Sequence, residues 1–352
     1  MKKTELTYCD APTVPEMQQT LPDPQFGDGL PAGFELKGYK FLRVVGKSYC
    51  NFSYHAREIM QGSGDQVHIV IKEYYPDALV SRKESGVVEP VAPNKRAAFE
   101  EGKNRFLQEA CFLMGVEHPS IVSVESVFSA NGSVYMIMPY ESGETLFDKL
   151  GRERRMNQQD LLDLFFSISE ALSLIHERGC LHRDLKPSNI FVRESGQPVI
   201  LDFGAAIFID QRIKSCMPMI SQGYTPIEQY STNTSEQGFW TDIYALAAIL
   251  YKGVTGLPPV DAVERGQKIL KDLEDPYIPL VSVASSQYSL RFLSAIDHAL
   301  CFRAEDRPQD LADWCAEFEG TVPVWLAADS VRKDLIHEAA KRSIDFDLNP
   351  KS

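Results

Sequence analysis

Residues 180 to 192 read CLHRDLKPSNIFV. Apolar Cys180-Leu181 and Ile190-Phe191-Val192 bracket a run holding His182, Arg183, Asp184, Lys186, Ser188 and Asn189. The centre is too polar for a core strand, and its flanks are too apolar for an ordinary surface loop. A carboxylate, cations and an amide locked between buried anchors are chemical groups at fixed spacing. Phosphoryl transfer asks for such a set: a cover over the phosphates, a cation on them, oxygen ligands for a metal, and a base for the acceptor hydroxyl. Two further segments extend it. VILDFGAA (199–206) adds Asp202, and VIKEYYP (70–76) places Lys72 on a predicted strand.

The elements that must position these groups follow from pattern. Residues 1–34 are rich in Pro, Asp, Glu, Gln and Gly, and read as a mobile leader. ELKGYKFLRVVG, FSYHAREIM and QVHIVIKEYYP read as short strands, with QGSGD as a turn. KRAAFEEGKNRFLQEACFLMG sets Phe99, Phe106, Ala110 and Leu113 at helical spacing. SIVSVESVFSANGSVYMIMPY is two strands joined at Asn131-Gly132, a strong hairpin signal. After Gly143 the chain turns helical. DLLDLFFSISEALSLIHERG is a long helix ending at Gly179, and WTDIYALAAILYKGVTG is apolar nearly all round and therefore buried. Helices follow around 289–302 and 309–318, and SVRKDLIHEAAKR (330–342) is a short amphipathic helix in a tail. Strands with one helix, then mostly helices, predict two lobes linked near Tyr140–Gly143.

The chain has 352 residues, 44% hydrophobic and 24% charged, an ordinary globular composition. Its 49 acidic and 36 basic residues give a net charge of −13, which argues against nucleic acid or an anionic membrane surface as a general partner. The seven cysteines are scattered, form no C-x-x-C pair, and read as free thiols of a reducing cytosol. The N-terminus lacks the apolar core of a signal peptide, and no apolar run approaches the ~20 residues that span a bilayer. The expectation is a soluble cytoplasmic protein without membrane insertion.

HRDLKPSN matches the catalytic-loop pattern H-R-D-x-x-x-x-N, VILDFGAA supplies D-F-G, and Lys72 precedes both in the expected order. On these motifs the chain resembles a bacterial serine/threonine protein kinase of the eukaryotic-like, Hanks-type family. IKEYYP and GYTPIEQY resemble a bacterial branch in particular, and Lys186 is the serine/threonine rather than the tyrosine version. The resemblance runs from about Gly38 to Glu319. It implies an α+β bilobal fold: a small, mostly antiparallel β N-lobe with one key helix (about 35–140), and a larger, mainly helical C-lobe (about 144–319). The leader (1–34) and a tail (320–352) lie outside this 35–319 domain.

The resemblance also implies roles. Asp184 would take the acceptor hydroxyl's proton, and Lys186 would neutralise the transferring group. Asn189 and Asp202 would hold Mg²⁺, with Mn²⁺ as the alternative, and Lys72 would bind the α- and β-phosphates of ATP. Glu109 is the expected anionic partner of Lys72, preferred over Glu101. Leu113, one turn on, falls where the family packs an apolar residue against Phe203. The 37-residue gap from Lys72 to Glu109 is long, and PDALVSRKESGVVEPVAPNK reads as an inserted loop. Adenine would use the carbonyl of Pro139, after the gatekeeper Met138, and the N–H of Glu141. Glu228 stands where the family has the glutamate of A-P-E, with Arg307 as its partner. Asp242 would bond the backbone of the catalytic loop.

Two regions depart from the pattern or stay open. The glycine-rich loop keeps Gly46, but Ser48 and Asn51 replace its other two glycines. Asparagine tolerates unusual backbone angles, so nucleotide binding is expected to survive. A scaffold without catalysis is the second reading, favoured by that loop and opposed by intact Lys72, Asp184, Asn189 and Asp202. A small-molecule kinase is a third, opposed by the peptide-platform character of GYTPIEQY. In the activation segment Ser215, Ser221 and Thr225 are candidate phosphosites, and Arg183 is a partner for such a phosphate. Ser221 aligns with the hydroxyl that contacts the catalytic aspartate and lysine, and Ser215 is the better switch. The expected partners are ATP and proteins with Ser/Thr acceptors, with docking through the leader or the C-terminal helix.

Overall fold

The computed structural model describes residues 27–59, 67–209, 219–231 and 233–318. The expected QGSGD turn, the tail helix at 330–342 and Ser215 lie outside the described residues. The chain forms two compact units, one of residues 1–99 with 128–135, the other of residues 100–127 with 136–352.

The first unit is built on β1 (Glu35–Leu36), β2 (Tyr39–Lys47), β3 (Asn51–Glu58) and β4 (His68–Tyr74). After these come β5 (Val80–Arg82), β6 (Val88–Pro90), the start of α1 (Arg96–Met114), and the hairpin of β7 (Ser126–Ala130) and β8 (Ser133–Pro139). The sheet runs β1-β2-β3-β4-β8-β7, with β1 to β4 antiparallel in sequence. Alternation sets its faces. Phe52, Tyr54, Ala56, Ile69 and Ile71 are 0–1% exposed on one face. There Tyr54 meets Phe41 edge-on, ring centroids 5.0 Å apart. At the β7–β8 turn Asn131 and Gly132 both take positive φ, as a tight hairpin demands.

Two expectations are corrected here. The leader does not stay loose to residue 34. Leu30 is 2% exposed and donates its N–H to Tyr54 Oη (3.1 Å), and Phe34 packs edge-on against Phe41. Composition hid this, because one leucine and one phenylalanine suffice to cover the aromatic face. Nor is the insertion a loop. Val80 and Val88 are buried, β5 and β6 pair antiparallel, and Val88 N–H bonds Asn131 O (2.8 Å). A Cβ on Gly132 would sit 2.3 Å from Val88 O, so this docking needs the glycine.

The second unit contains α2 (Leu146–Glu153), α3 (Gln158–Glu177), α4 (Phe239–Thr255), α5 (Ala262–Ile269), α6 (Leu280–Val283), α7 (Leu290–Ala299) and α8 (Leu311–Glu317). Short strands lie among them: β9 (Gly143–Thr145), β10 (Cys180–Leu181), β11 (Ile190–Arg193), β12 (Pro198–Ile200) and β13 (Ile207–Phe208). Asn157 caps α3 by accepting the Asp160 N–H, and Gly256 ends α4 in the left-handed region. α4 is buried along most of its length. Phe165 of α3 meets Trp314 (4.8 Å) and Phe318 (4.2 Å) near α8. Residues 100–114 of α1 fall in the second unit, where Phe112 meets Phe208 edge-on at 5.3 Å and Phe203 at 6.2 Å.

One group in the first unit makes stability depend on pH. His55 is 3% exposed and shares a hydrogen bond with His68 (2.8 Å). Burial, with His68 and Arg43 nearby, pushes its pKa down to about 4. Below the ordinary histidine value of about 6.5 the unfolded chain takes a proton that the folded one refuses, so stability falls as pH drops from about 6.5 towards about 4. Urea unfolding across that window is expected to show this loss, and His55→Gln is expected to make it shallower.

Candidate active site

The catalytic loop begins where α3 ends, at Gly179 with φ of 69°. Cys180, Leu181, Leu185 and Ile190 are 0–1% exposed and anchor it. Between the anchors the backbone is pinned by Asp242, 0% exposed in the first turn of α4. Asp242 Oδ2 accepts the His182 N–H (2.9 Å) and meets His176 Nε2 (2.8 Å), while Oδ1 accepts the Arg183 N–H (2.8 Å). Burial opposes its charge. The hydrogen bond to His176, the two neighbouring imidazoles and the Arg183 N–H outweigh that, and hold the carboxyl below its usual range. Burial, with Asp242 beside it, pushes the Cys180 thiol up to about 12.

Arg183 sits at φ of 68°, a conformation that costs a side-chain-bearing residue about 1–3 kcal/mol. Asp242 holds its N–H, and Gln229 Nε2 donates to its carbonyl (2.7 Å). That strain turns the chain so that Asp184 follows in place. Sequence reasoning missed His176 and Gln229. The signal for Gln229 was its position beside Glu228 in TPIEQ.

Asp184 is the centre of a tight cluster. Lys186 Nζ donates to Oδ1 (2.9 Å) and Oδ2 (2.7 Å), and Ser221 Oγ donates to Oδ1 (3.0 Å). Asn189 Nδ2 donates to Asp184 Oδ2 and to its backbone carbonyl, both at 2.9 Å. With its amide nitrogen so committed, Asn189 turns its oxygen elsewhere. That oxygen and the Asp202 carboxylate are the hard donors that Mg²⁺ or Mn²⁺ prefers, so the donor set fits such an ion. Asp202 Oδ1 accepts the Gly204 N–H (3.0 Å), and Glu109 Oε1 accepts the Phe203 N–H (3.3 Å). Phe203 is buried and meets His182 edge-on at 4.8 Å. His182 is wholly buried, which lowers its pKa. Its Nδ1 accepts the Asp184 N–H (3.2 Å), so the neutral ring carries its proton on Nε2.

In the first unit, register links the remaining residues. Gly46 pairs with Ser53, and Ser53 with Lys72, so the three positions share one face of the sheet. Lys72 is 5% exposed. Ser48 and Asn51 close the β2–β3 turn through Ser48 N–H to Asn51 O (2.8 Å). Neither has positive φ, so the tolerance expected of Asn51 for unusual angles is not what it supplies. Asn51 instead lies in β3, its Oδ1 buried without a hydrogen-bond partner among the described residues. Met138, of the second unit, is buried, and Pro139 ends β8. In the second unit Glu141 is ion-paired with Arg193, whose Nη1 also reaches Pro119 O (2.6 Å).

Thr225 is corrected as a phosphosite. It is 4% exposed and its Oγ1 accepts the Ser221 N–H (2.8 Å), so its hydroxyl shapes the segment from within. Glu228 and Arg307 form a buried two-point pair (2.8 and 3.3 Å), with Thr241 Oγ1 on Glu228 (3.1 Å) and the guanidinium over Tyr244 at 4.7 Å.

The family model described as protein kinase domain matches residues 87–319, and the chain belongs to that family. Human serine/threonine-protein kinase Nek5 is 26% identical over 303 residues, 85% of this chain and 39% of that protein. PkaB of Streptomyces coelicolor is 28% identical over 204 residues, 55% of this chain and 48% of that protein. A solved structure described as PpkA-294 apo form shares 31% identity with a TM-score of 0.70, covering 83% of this chain and all of that one. The domain is of the bacterial, Hanks-type serine/threonine kinase class, with its α+β fold. The chain spans less than half the length of the curated relatives named here.

Breaking one side of a buried ion pair costs about 3–5 kcal/mol. Glu228→Gln and Arg307→Met are each expected to lose that much in urea unfolding. The double variant is expected to lose clearly less than the sum, because the second change removes a charge the first left unpaired.

Proposed function

We propose that the chain is an ATP-dependent serine/threonine protein kinase acting on protein hydroxyls and also on itself. The observation that carries this reading is the Asp184 cluster, where a lysine and a serine hydroxyl both sit on one pinned carboxylate. The Ser221 bond shows that Asp184 accepts from an alcohol at 3.0 Å, the geometry a base needs toward an acceptor hydroxyl.

In this reading Asp184 orients the acceptor hydroxyl and takes its proton. Lys186 offsets the negative charge gathered on the transferring group. Members of the family use ATP with a divalent metal, and Asn189 and Asp202 would hold Mg²⁺ here. When bound, that ion would neutralise phosphate charge. Lys72 supplies a further cation for the phosphates, on the sheet face shared with Gly46. The ordinary backbone of Ser48 and Asn51 supports a working nucleotide loop despite the missing glycines. No helix among the described residues is long and apolar enough to cross a membrane. The buried thiols Cys180 and Cys315 support a reducing, cytoplasmic setting.

Arg183 bears on regulation. Its Nε is buried without a hydrogen-bond partner among the described residues, and its Nη1 makes only a 3.5 Å contact to Ala205 O. A phosphate on Ser215 would supply the missing acceptor.

Labelled phosphate from ATP with Mg²⁺ is expected to enter wild-type protein and a basic protein substrate. Asp184→Ala is expected to cut that rate by about 10²–10⁴-fold while ATP still raises the melting temperature. Unchanged transfer in the variant would refute the assignment. Mass spectrometry of the two proteins is expected to find Ser215 phosphate in wild type alone. The same phosphate in both would argue against self-modification.

A further inference from the structure

Lys72 and Glu73 are neighbours on β4, and a strand sends neighbouring side chains to opposite faces. Lys72 shares its face with Ser53 and Gly46. Glu73 points into the aromatic face and is 0% exposed. Ile69 and Ile71 on that same face show that an apolar residue packs there without difficulty. A carboxylate at the third position is therefore more than filler, because burying a charge is costly unless every lone pair is met.

Each is met. Glu73 Oε2 accepts from Tyr54 Oη (2.7 Å) and Arg82 Nη2 (2.6 Å). Oε1 accepts from Tyr135 Oη (2.7 Å) and Arg82 Nη1 (2.9 Å). The four donors come from β3, β5 and β8, so the carboxylate is fixed from three sides of the unit. Arg82 is itself held, its Nε on Asp28 O (2.6 Å) and its guanidinium over the Tyr75 ring at 4.7 Å. Tyr54 Oη also accepts the Leu30 N–H (3.1 Å). Residues 28–30 of the leader thus strap the outside of the cluster. Burial and the charge of Glu73 raise the Tyr54 and Tyr135 hydroxyls well above the usual tyrosine range, so both remain donors at any physiological pH.

We propose that Glu73 is a positioning residue for Lys72: the clamp closed on its carboxylate by Arg82, Tyr54 and Tyr135, and strapped by residues 28–30, fixes the rotation of β4 and so the aim of the lysine on the other face. The proposal rests on the reading of Lys72 as the phosphate-binding cation. One rigid peptide separates the two Cα atoms by about 3.8 Å. A twist of β4 that redirected Lys72 would break the four bonds to Glu73 together. The lysine side chain grows from that backbone, so a turn of β4 shifts the whole range of positions its ammonium can reach. The β5–β6 insertion then has a purpose in this chain, which is to deliver Arg82.

The test uses the full chain as wild type, Tyr54→Phe/Tyr135→Phe and Glu73→Gln. The phenylalanine variant keeps both rings and removes two of the four bonds. MgATP affinity is measured by calorimetry, with KM for ATP and kcat, well below each protein's melting temperature. The phenylalanine variant is expected to bind MgATP about fivefold more weakly, the scale of one net hydrogen bond, with KM raised in parallel and kcat within about twofold. Glu73→Gln, where it folds, is expected to show a larger change in the same direction. A lowered melting temperature with unchanged affinity and KM in the phenylalanine variant would overturn the clamp and leave a merely structural role. Wild type that binds MgATP but transfers no phosphate would count against the proposed activity alone, since the affinity comparison still decides the clamp. Wild type that binds no MgATP would remove Lys72's role and the clamp's with it.

Discussion

The buried carboxylate of Asp242 is the constraint on which the catalytic half of the molecule depends. It reaches two consecutive backbone amides and one histidine from the first turn of a helix that is itself buried along most of its length. A helix start is a favourable place for a negative charge, and a rigid one. The amides it grips are those of His182 and of the strained residue Arg183 itself. Without an acceptor there, the backbone of residues 182–183 would relax, and Asp184, Lys186 and Asn189 would lose their common reference. The energy stored at Arg183, about 1–3 kcal/mol, is offset by charge-assisted bonds of comparable size.

The same device recurs in both units. Asp242, Glu228 and Glu73 are each buried, and each is surrounded by donors drawn from distant parts of the chain. Apolar packing shapes the two cores, but it is tolerant of small rotations. A carboxylate with several fixed donors is not, because its bonds weaken steeply with angle. Catalysis needs groups placed within a fraction of an ångström. The protein therefore places a satisfied charge at points where orientation matters: behind the catalytic loop, under the end of the activation segment, and behind the strand that carries Lys72.

Much of the catalytic half was legible in the sequence because its parts are local. His182 to Asn189 lie within eight residues, so the pattern H-R-D-x-x-x-x-N is read directly along the chain. Long helices such as α3 and α4 declared themselves by long apolar runs, and α3 also by Gly179 after its end. What could not be read was contact between segments far apart in the chain. Arg82 sits in a stretch of polar and small residues that looks like a loop, and only the pairing of Val80 with Pro90 turns it toward Glu73. Leu30 looked like one apolar residue in a disordered leader until Tyr54 gave its N–H a partner. Thr225 read as a candidate phosphosite because burial is not written in a residue's type.

The measurement that tests the role of Asp242 most directly is amide hydrogen exchange across residues 180–190 in wild type and Asp242→Asn, alongside kcat for phosphate transfer. Asparagine keeps the shape but offers one neutral acceptor in place of two charged ones. The account predicts that exchange at His182 and Arg183 rises about tenfold or more, that α3 and α4 stay protected, and that kcat falls while KM for ATP holds. Unchanged exchange at those two amides, with unchanged kcat in a folded variant, would contradict it.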